Sequence, residues 1–134
     1  MSNLEGWNVL VVDDDRDNLR LLEDILLFSQ AQVTCVASGQ EALELLATHH
    51  YQLILQDVQM PVVSGWDIIK FIRSHAEAEV NTQVVVAVTA QAMWGDKERA
   101  IAAGFDGYIS KPIDSLEFLV IIKDILDAKK GSQH

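Results

Sequence analysis

The stretch VVVAV, Val84 to Val88, is apolar at every position. Side chains on a strand alternate between its two faces, so such a strand must bury both. A parallel sheet covered by helices on each side meets that requirement, and a sheet with one wet face does not. Four other short apolar runs accompany it: Trp7 to Val12, Gln32 to Val36, Gln52 to Gln56 and Gly107 to Ser110. Longer segments with helical spacing lie between them. Leu19, Leu22 and Leu26 recur on one face, as do Ala42, Leu45 and Leu46, and then Ile68, Ile69 and Ile72. Met93, Ala100 and Ala103 follow, and finally Leu116, Leu119, Val120 and Lys123. Five strands alternating with five helices, joined by right-handed crossovers, predict a doubly wound α/β sandwich with a five-stranded parallel sheet.

Punctuation agrees with that pattern. Asp15, Ser38, Ser64 and Asp114 precede helical segments as N-caps, and Gly104 follows the fourth as a stop. The 134 residues suit a single domain, 1–134, with a core over about 7–128 and a flexible tail at 129–134. With 10 basic against 20 acidic residues the formal charge is −10, which repels a phosphate-rich partner, so no direct nucleic-acid contact is expected. No secretory signal and no apolar stretch near 18 residues is present, so no membrane span is expected. The single cysteine, Cys35, cannot close an internal disulfide, and a cytoplasmic location follows as an expectation. Within the apolar run Gln32 to Ala37 it is expected to be a small buried filler.

Sites in open parallel α/β sheets lie beyond the carboxyl ends of the strands. Strand one ends in Asp13, Asp14 and Asp15, strand three in Asp57 and strand four in Thr89, while Lys111 follows strand five. Carboxylate oxygens are hard ligands suited to an octahedral cation that keeps several waters, which describes Mg²⁺, with Mn²⁺ a substitute. Such an ion offsets the repulsion among neighbouring aspartates, and with Lys111 it would neutralise a phosphoryl group. A carboxylate can be the nucleophile that receives that group, giving an acyl phosphate, and Thr89 can donate to its oxygens.

These residues carry a resemblance. "VVDD" (Val11 to Asp14), "QDVQMP" (Gln56 to Pro61) followed by "SGWD", "VTA" (Val88 to Ala90) and "GYISKP" (Gly107 to Pro112) stand in order and at family spacing. Over residues 7 to 128 the chain resembles the CheY-like receiver domains of two-component response regulators. The resemblance implies a flavodoxin-like fold with strand order 2-1-3-4-5. It implies Asp57 as phosphoacceptor, with Mg²⁺ placed by Asp13, Asp14, Asp57 and the backbone carbonyl of Gln59. Thr89 matches the switch hydroxyl, Lys111 the phosphate-binding lysine and Tyr108 the switch aromatic. A histidine kinase or histidine phosphotransfer protein would supply the phosphoryl group. The output would be contact with a downstream protein, or a homodimer, through helix four, strand five and helix five. The domain would then be a signalling phosphoacceptor rather than an enzyme, as a stand-alone regulator, a relay shuttle or part of a longer protein.

Some positions depart from the family pattern. Gln56 stands where an apolar residue is more usual, and a buried amide needs partners. Gln59 and Gln91 stand two residues past Asp57 and two past Thr89, the positions that by the resemblance border the attacking water, and as two neutral donors they leave the phosphate lifetime open. Asp15 is expected to cap a helix, His49 and His50 to be solvated, and Trp66 to pack. Trp94 stands near the switch surface as a partner anchor or as packing. On the fifth helix Leu116, Leu119, Val120 and Leu126 are expected to cover one face, with Phe118, Ile122 and Ile125 as surplus apolar surface toward the other. The rival from another class is a Mg²⁺-dependent phosphatase of the haloacid dehalogenase type, for which Asp13 and Asp15 form a D-x-D with Asp13 as nucleophile. It leaves Asp57 and "QMP" unexplained. A flavin binder would need glycines and hydroxyls where three acids stand.

Overall fold

The computed structural model describes residues 4–90 and 95–131, the last three as backbone alone. Gln91, Met93 and Trp94 lie outside the described residues, and so does the role expected of Trp94. Five strands, β1 (Asn8–Val12), β2 (Gln32–Val36), β3 (Leu53–Asp57), β4 (Val84–Thr89) and β5 (Gly107–Ser110), pair in parallel in the order β2-β1-β3-β4-β5. The helices are α1 (Arg16–Phe28), α2 (Gly39–Leu46), α3 (Gly65–Arg73), α4 (Ala78–Asn81), α5 (Asp96–Ala103) and α6 (Ser115–Gly131). Expected helices four and five are therefore α5 and α6. The unexpected α4 is a single turn, too short to show a periodic stripe, and Val80 is its only buried residue.

The sheet separates two apolar layers. Val9, Val11, Leu53, Leu55, Val86 and Val88 face α1 and α6, meeting Leu22, Leu26, Phe118 and Ile122. Leu10, Val12, Ile54, Val85 and Ala87 face the other way, toward Ala42, Leu46, Ile68, Ile72 and Ala100. Val85 to Val88 are buried, as a strand covered on both sides demands, and each large aliphatic side chain so placed contributes about 1.5–3 kcal/mol.

The expected caps are present. Asp15 accepts from the amides of Asp17 and Asn18, Ser38 from Glu41, and Asp114 from Leu116 and Glu117. Ser64 and Asp67 form a reciprocal capping box. Gly104 ends α5 at φ 115°, where a side chain would be strained.

The packing of α6 departs from the expected one: Leu119 and Leu126 pack against the core as expected, but the centre of the buried face is Phe118 and Ile122, from the side expected to be surplus. Phe118 and Ile122 are buried and Ile125 is half-buried, whereas Leu116 is 77% and Val120 59% exposed. Both faces of this helix are apolar, so periodicity alone cannot select which one meets the sheet. The helix also continues to Gly131, past Lys129 where a tail was expected to start. Cys35 is half-buried rather than buried, because it lies on the edge strand β2.

Candidate functional site at the carboxyl end of the sheet

Each acidic residue is delivered by the end of a strand. Asp57 is the last residue of β3 and Asp13 follows β1, the adjacent strand. Both are buried, at 4% and 1% exposure, while Asp14 is exposed. One carboxylate oxygen from each of Asp13, Asp14 and Asp57 lies within 4.8 Å of the others. Three like charges that close repel strongly, and a cation relieves them.

One cation is already there. Lys111 Nζ is 2.9 Å from Asp13 Oδ2 and 3.5 Å from Asp57 Oδ2. The ammonium reaches them from just beyond β5 at 14% side-chain exposure, and the Lys111–Pro112 peptide that follows is cis. Asp13 is further held by Asn18 Nδ2 at 2.5 Å and by the Asp15 amide at 2.9 Å. Asp57 Oδ1 accepts from the Gln59 amide at 3.1 Å. Burial, and next the Asp13 charge, push Asp57 up to about 7, against the opposing effects of Lys111 and the Gln59 amide. For Lys111 burial favours the neutral amine, but the hydrogen bond to Asp13 and the charges of Asp57 and Asp13 outweigh it and raise the pKa.

The loop after Asp57 is built tightly. A Cβ on Gly65 would lie 2.6 Å from both the Asp57 carbonyl oxygen and Val58 Cα, so glycine lets the start of α3 approach the strand end. Val63 N–H donates to Pro61 O at 2.8 Å, closing a three-residue turn that holds Val62 at φ 67° with 95% exposure. A β-branched residue in the left-handed region is strained.

Thr89 ends β4, buried at 3% exposure, and Tyr108 in β5 is half-buried against the layer that contains Ala87. Asp15 is a helix cap. Gln56 is fully buried, its Nε2 donating to the Asp57 carbonyl at 2.9 Å, while its Oε1 finds no partner among the described residues. His49 and His50 are exposed; His50 Nδ1 is 3.5 Å from Glu79 Oε2. Trp66 packs edge-on against Phe105 with ring centroids 5.9 Å apart, and the Arg99 guanidinium lies 4.4 Å above its ring.

Asn18 was not anticipated. It is a polar residue in the buried stripe Asn18, Leu22 and Ile25 of α1, and that interruption was the available signal. Arg73 was also missed. It donates to the carbonyls of Gly104, Asn81 and Gln83 and pairs with Asp106 at 2.8 Å, for which a single arginine at a helix end gives no warning.

The model of the response regulator receiver domain matches residues 9–123. The chain belongs to the response regulator receiver domain family. This receiver is 40% identical over 119 residues to the polar-differentiation response regulator DivK of Brucella ovis, covering 89% of this chain and 95% of that protein. Among solved structures it is similar to the receiver domain of a sensor histidine kinase from Pseudomonas aeruginosa, a structure with a magnesium ion coordinated in the active site cleft. That match has 30% identity and a TM-score of 0.80, and covers 91% of this chain and 98% of that one. It is also similar to a CheY-like receiver domain protein from Methanospirillum hungatei, at 26% identity and a TM-score of 0.82, with 94% and 98% covered. As a receiver it is a signalling domain of two-component systems. Among its described residues no helix is long and apolar enough to cross a membrane.

Proposed function

We propose that this receiver accepts a phosphoryl group on Asp57 from a phosphorylated histidine of a kinase or phosphotransfer protein. A carboxylate oxygen of Asp57 attacks phosphorus, the P–N bond to the imidazole breaks as the P–O bond forms, and the imidazole leaves and takes up a proton. The observation that carries the reading is the convergence of Asp57, Asp13, Asp14 and Lys111 at the strand ends. The donor set suits a hard divalent cation: Asp13, Asp14, Asp57 and the Gln59 carbonyl would hold Mg²⁺ or Mn²⁺. When bound, that ion supplies charge neutralisation at the transferring oxygens.

Lys111 then trades its contact with Asp57 for the phosphoryl oxygens, and Thr89 donates to them from the end of β4. Tyr108 turns inward in response, and the surface of α5, β5 and α6 changes. That surface meets a downstream protein or a second copy, with Leu116 and Val120 exposed on α6 as apolar contacts. Turnover is limited to the domain's own phosphorylation and dephosphorylation, in the cytoplasm. The phosphatase reading with Asp13 as nucleophile is not favoured, since it gives no role to Asp57, which shares the Lys111 ammonium with Asp13.

The test is intact mass with peptide mapping after incubation with acetyl phosphate, with and without Mg²⁺. One Mg²⁺-dependent phosphoryl group on Asp57, absent from Asp57→Asn, is expected. Label on Asp13 with turnover of the donor would revive the phosphatase, and no label under any condition would sink the phosphoacceptor role.

A further inference from the structure

The orphan carbonyl of Gln56 has a place in the sheet that gives it a use. Register aligns Val12 with Gln56, Gln56 with Ala87, and Ala87 with Tyr108, so these residues form one row across β1, β3, β4 and β5. Residues in one row of a parallel sheet share a face, and here Val12 and Ala87 are core residues of the layer against which Tyr108 packs. Thr89, two residues beyond Ala87, lies on the same face at the carboxyl end of β4. Within that row Ala87, with no more than a methyl side chain, is the residue between Gln56 and Tyr108. Two strand spacings put their Cα positions about 10 Å apart, a gap that two long side chains can close.

Burying an amide carbonyl without a partner costs stability, and an apolar residue of similar size in that row would avoid the cost. Gln56 Nε2 is engaged with the Asp57 carbonyl, so the amide is anchored with its oxygen unspent. We infer that Gln56 Oε1 is the acceptor reached by the Tyr108 hydroxyl when that ring turns inward over Ala87, making Gln56 a positioning residue that favours the activated state. The inference rests on the phosphorylation switch proposed above and names where its aromatic ends.

Beryllofluoride with Mg²⁺ serves as the phosphoryl mimic, on protein containing 3-fluorotyrosine. The two tyrosines, Tyr51 and Tyr108, give two ¹⁹F resonances, assigned with Tyr108→Phe. At saturation the Tyr108 resonance is expected to shift in the wild type and to shift less than half as far in Gln56→Met, a substitution of similar volume. Apparent affinity for the mimic, read by tryptophan fluorescence, should fall about fivefold in Gln56→Met and in Tyr108→Phe, the worth of one ordinary hydrogen bond. The double variant should fall no further than either, because both remove the same bond. Tyr108→Phe deletes one hydroxyl from a half-buried ring, so that arm stands even if the buried substitution unfolds the protein. A wild type that neither binds the mimic nor moves Tyr108 overturns the switch and this inference together. A wild type that does both, with an undiminished shift in Gln56→Met or with effects that multiply in the double variant, overturns the role of Gln56 and leaves the switch intact.

Discussion

At the scale of single residues, environment sets chemistry. Burial, and then the charge and hydrogen bond of Glu23, push the Cys35 thiol up to about 11 although the side chain is only half-buried. The thiolate is the nucleophile, so alkylation by iodoacetamide at pH 8 is expected to run about a hundredfold below a free thiol and to gain about tenfold per pH unit toward 11. A rate equal to that of a free thiol at pH 8 would contradict this environment. Val62 offers a second measurement. Asparagine tolerates its left-handed backbone better than a β-branched residue, so Val62→Asn is expected to raise stability in urea unfolding by about 1 kcal/mol. The strand-end residues Asp13, Asp57, Thr89 and Lys111 were legible in the sequence because the fold class dictates that strand ends converge. Asn18 and the unpaired half of Gln56 were not, since each depends on where a side chain meets another element.

At the scale of elements, Arg73 is a clamp. From the end of α3 it holds the end of α4, the residue before β4, the glycine that closes α5, and Asp106 ahead of β5. Asp106 in turn accepts from the Val85 amide, and a Cβ on Gly104 would lie 2.8 Å from Arg73 Cγ. Removing the guanidinium leaves three carbonyls and a carboxylate to find other partners, so Arg73→Ala is expected to cost about 3 kcal/mol, read as a lower urea midpoint. Helix starts were written in the sequence because a cap is a local bargain between one side chain and the amides of the next turn. The single turn α4 was not, because Arg73 and one buried valine hold it from outside. The orientation of α6 was hidden for a different reason. Two apolar faces compete for the sheet, and the ring of Phe118 fills the layer at 1% exposure.

At the scale of the whole molecule, the two layers on either side of the sheet carry the stability, and the outer helix faces are spared that duty. Phe118→Ala should therefore cost about 3–5 kcal/mol, whereas Leu116→Ser with Val120→Ser, on the opposite side of the same helix, should change stability by no more than about 0.5 kcal/mol per site. Comparable losses in urea midpoint for both variants would mean that α6 is seated the other way round. The same division of labour falls most unevenly on α5. It is bracketed by Gly95 at φ 88° and Gly104 at φ 115°, and Ala100 is its only buried residue. Seven of its eight positions are thus spared by the core. Descendants of this gene can rewrite that helix almost letter by letter while the scaffold goes on folding, so new allegiances can be acquired there without first surviving a loss of structure.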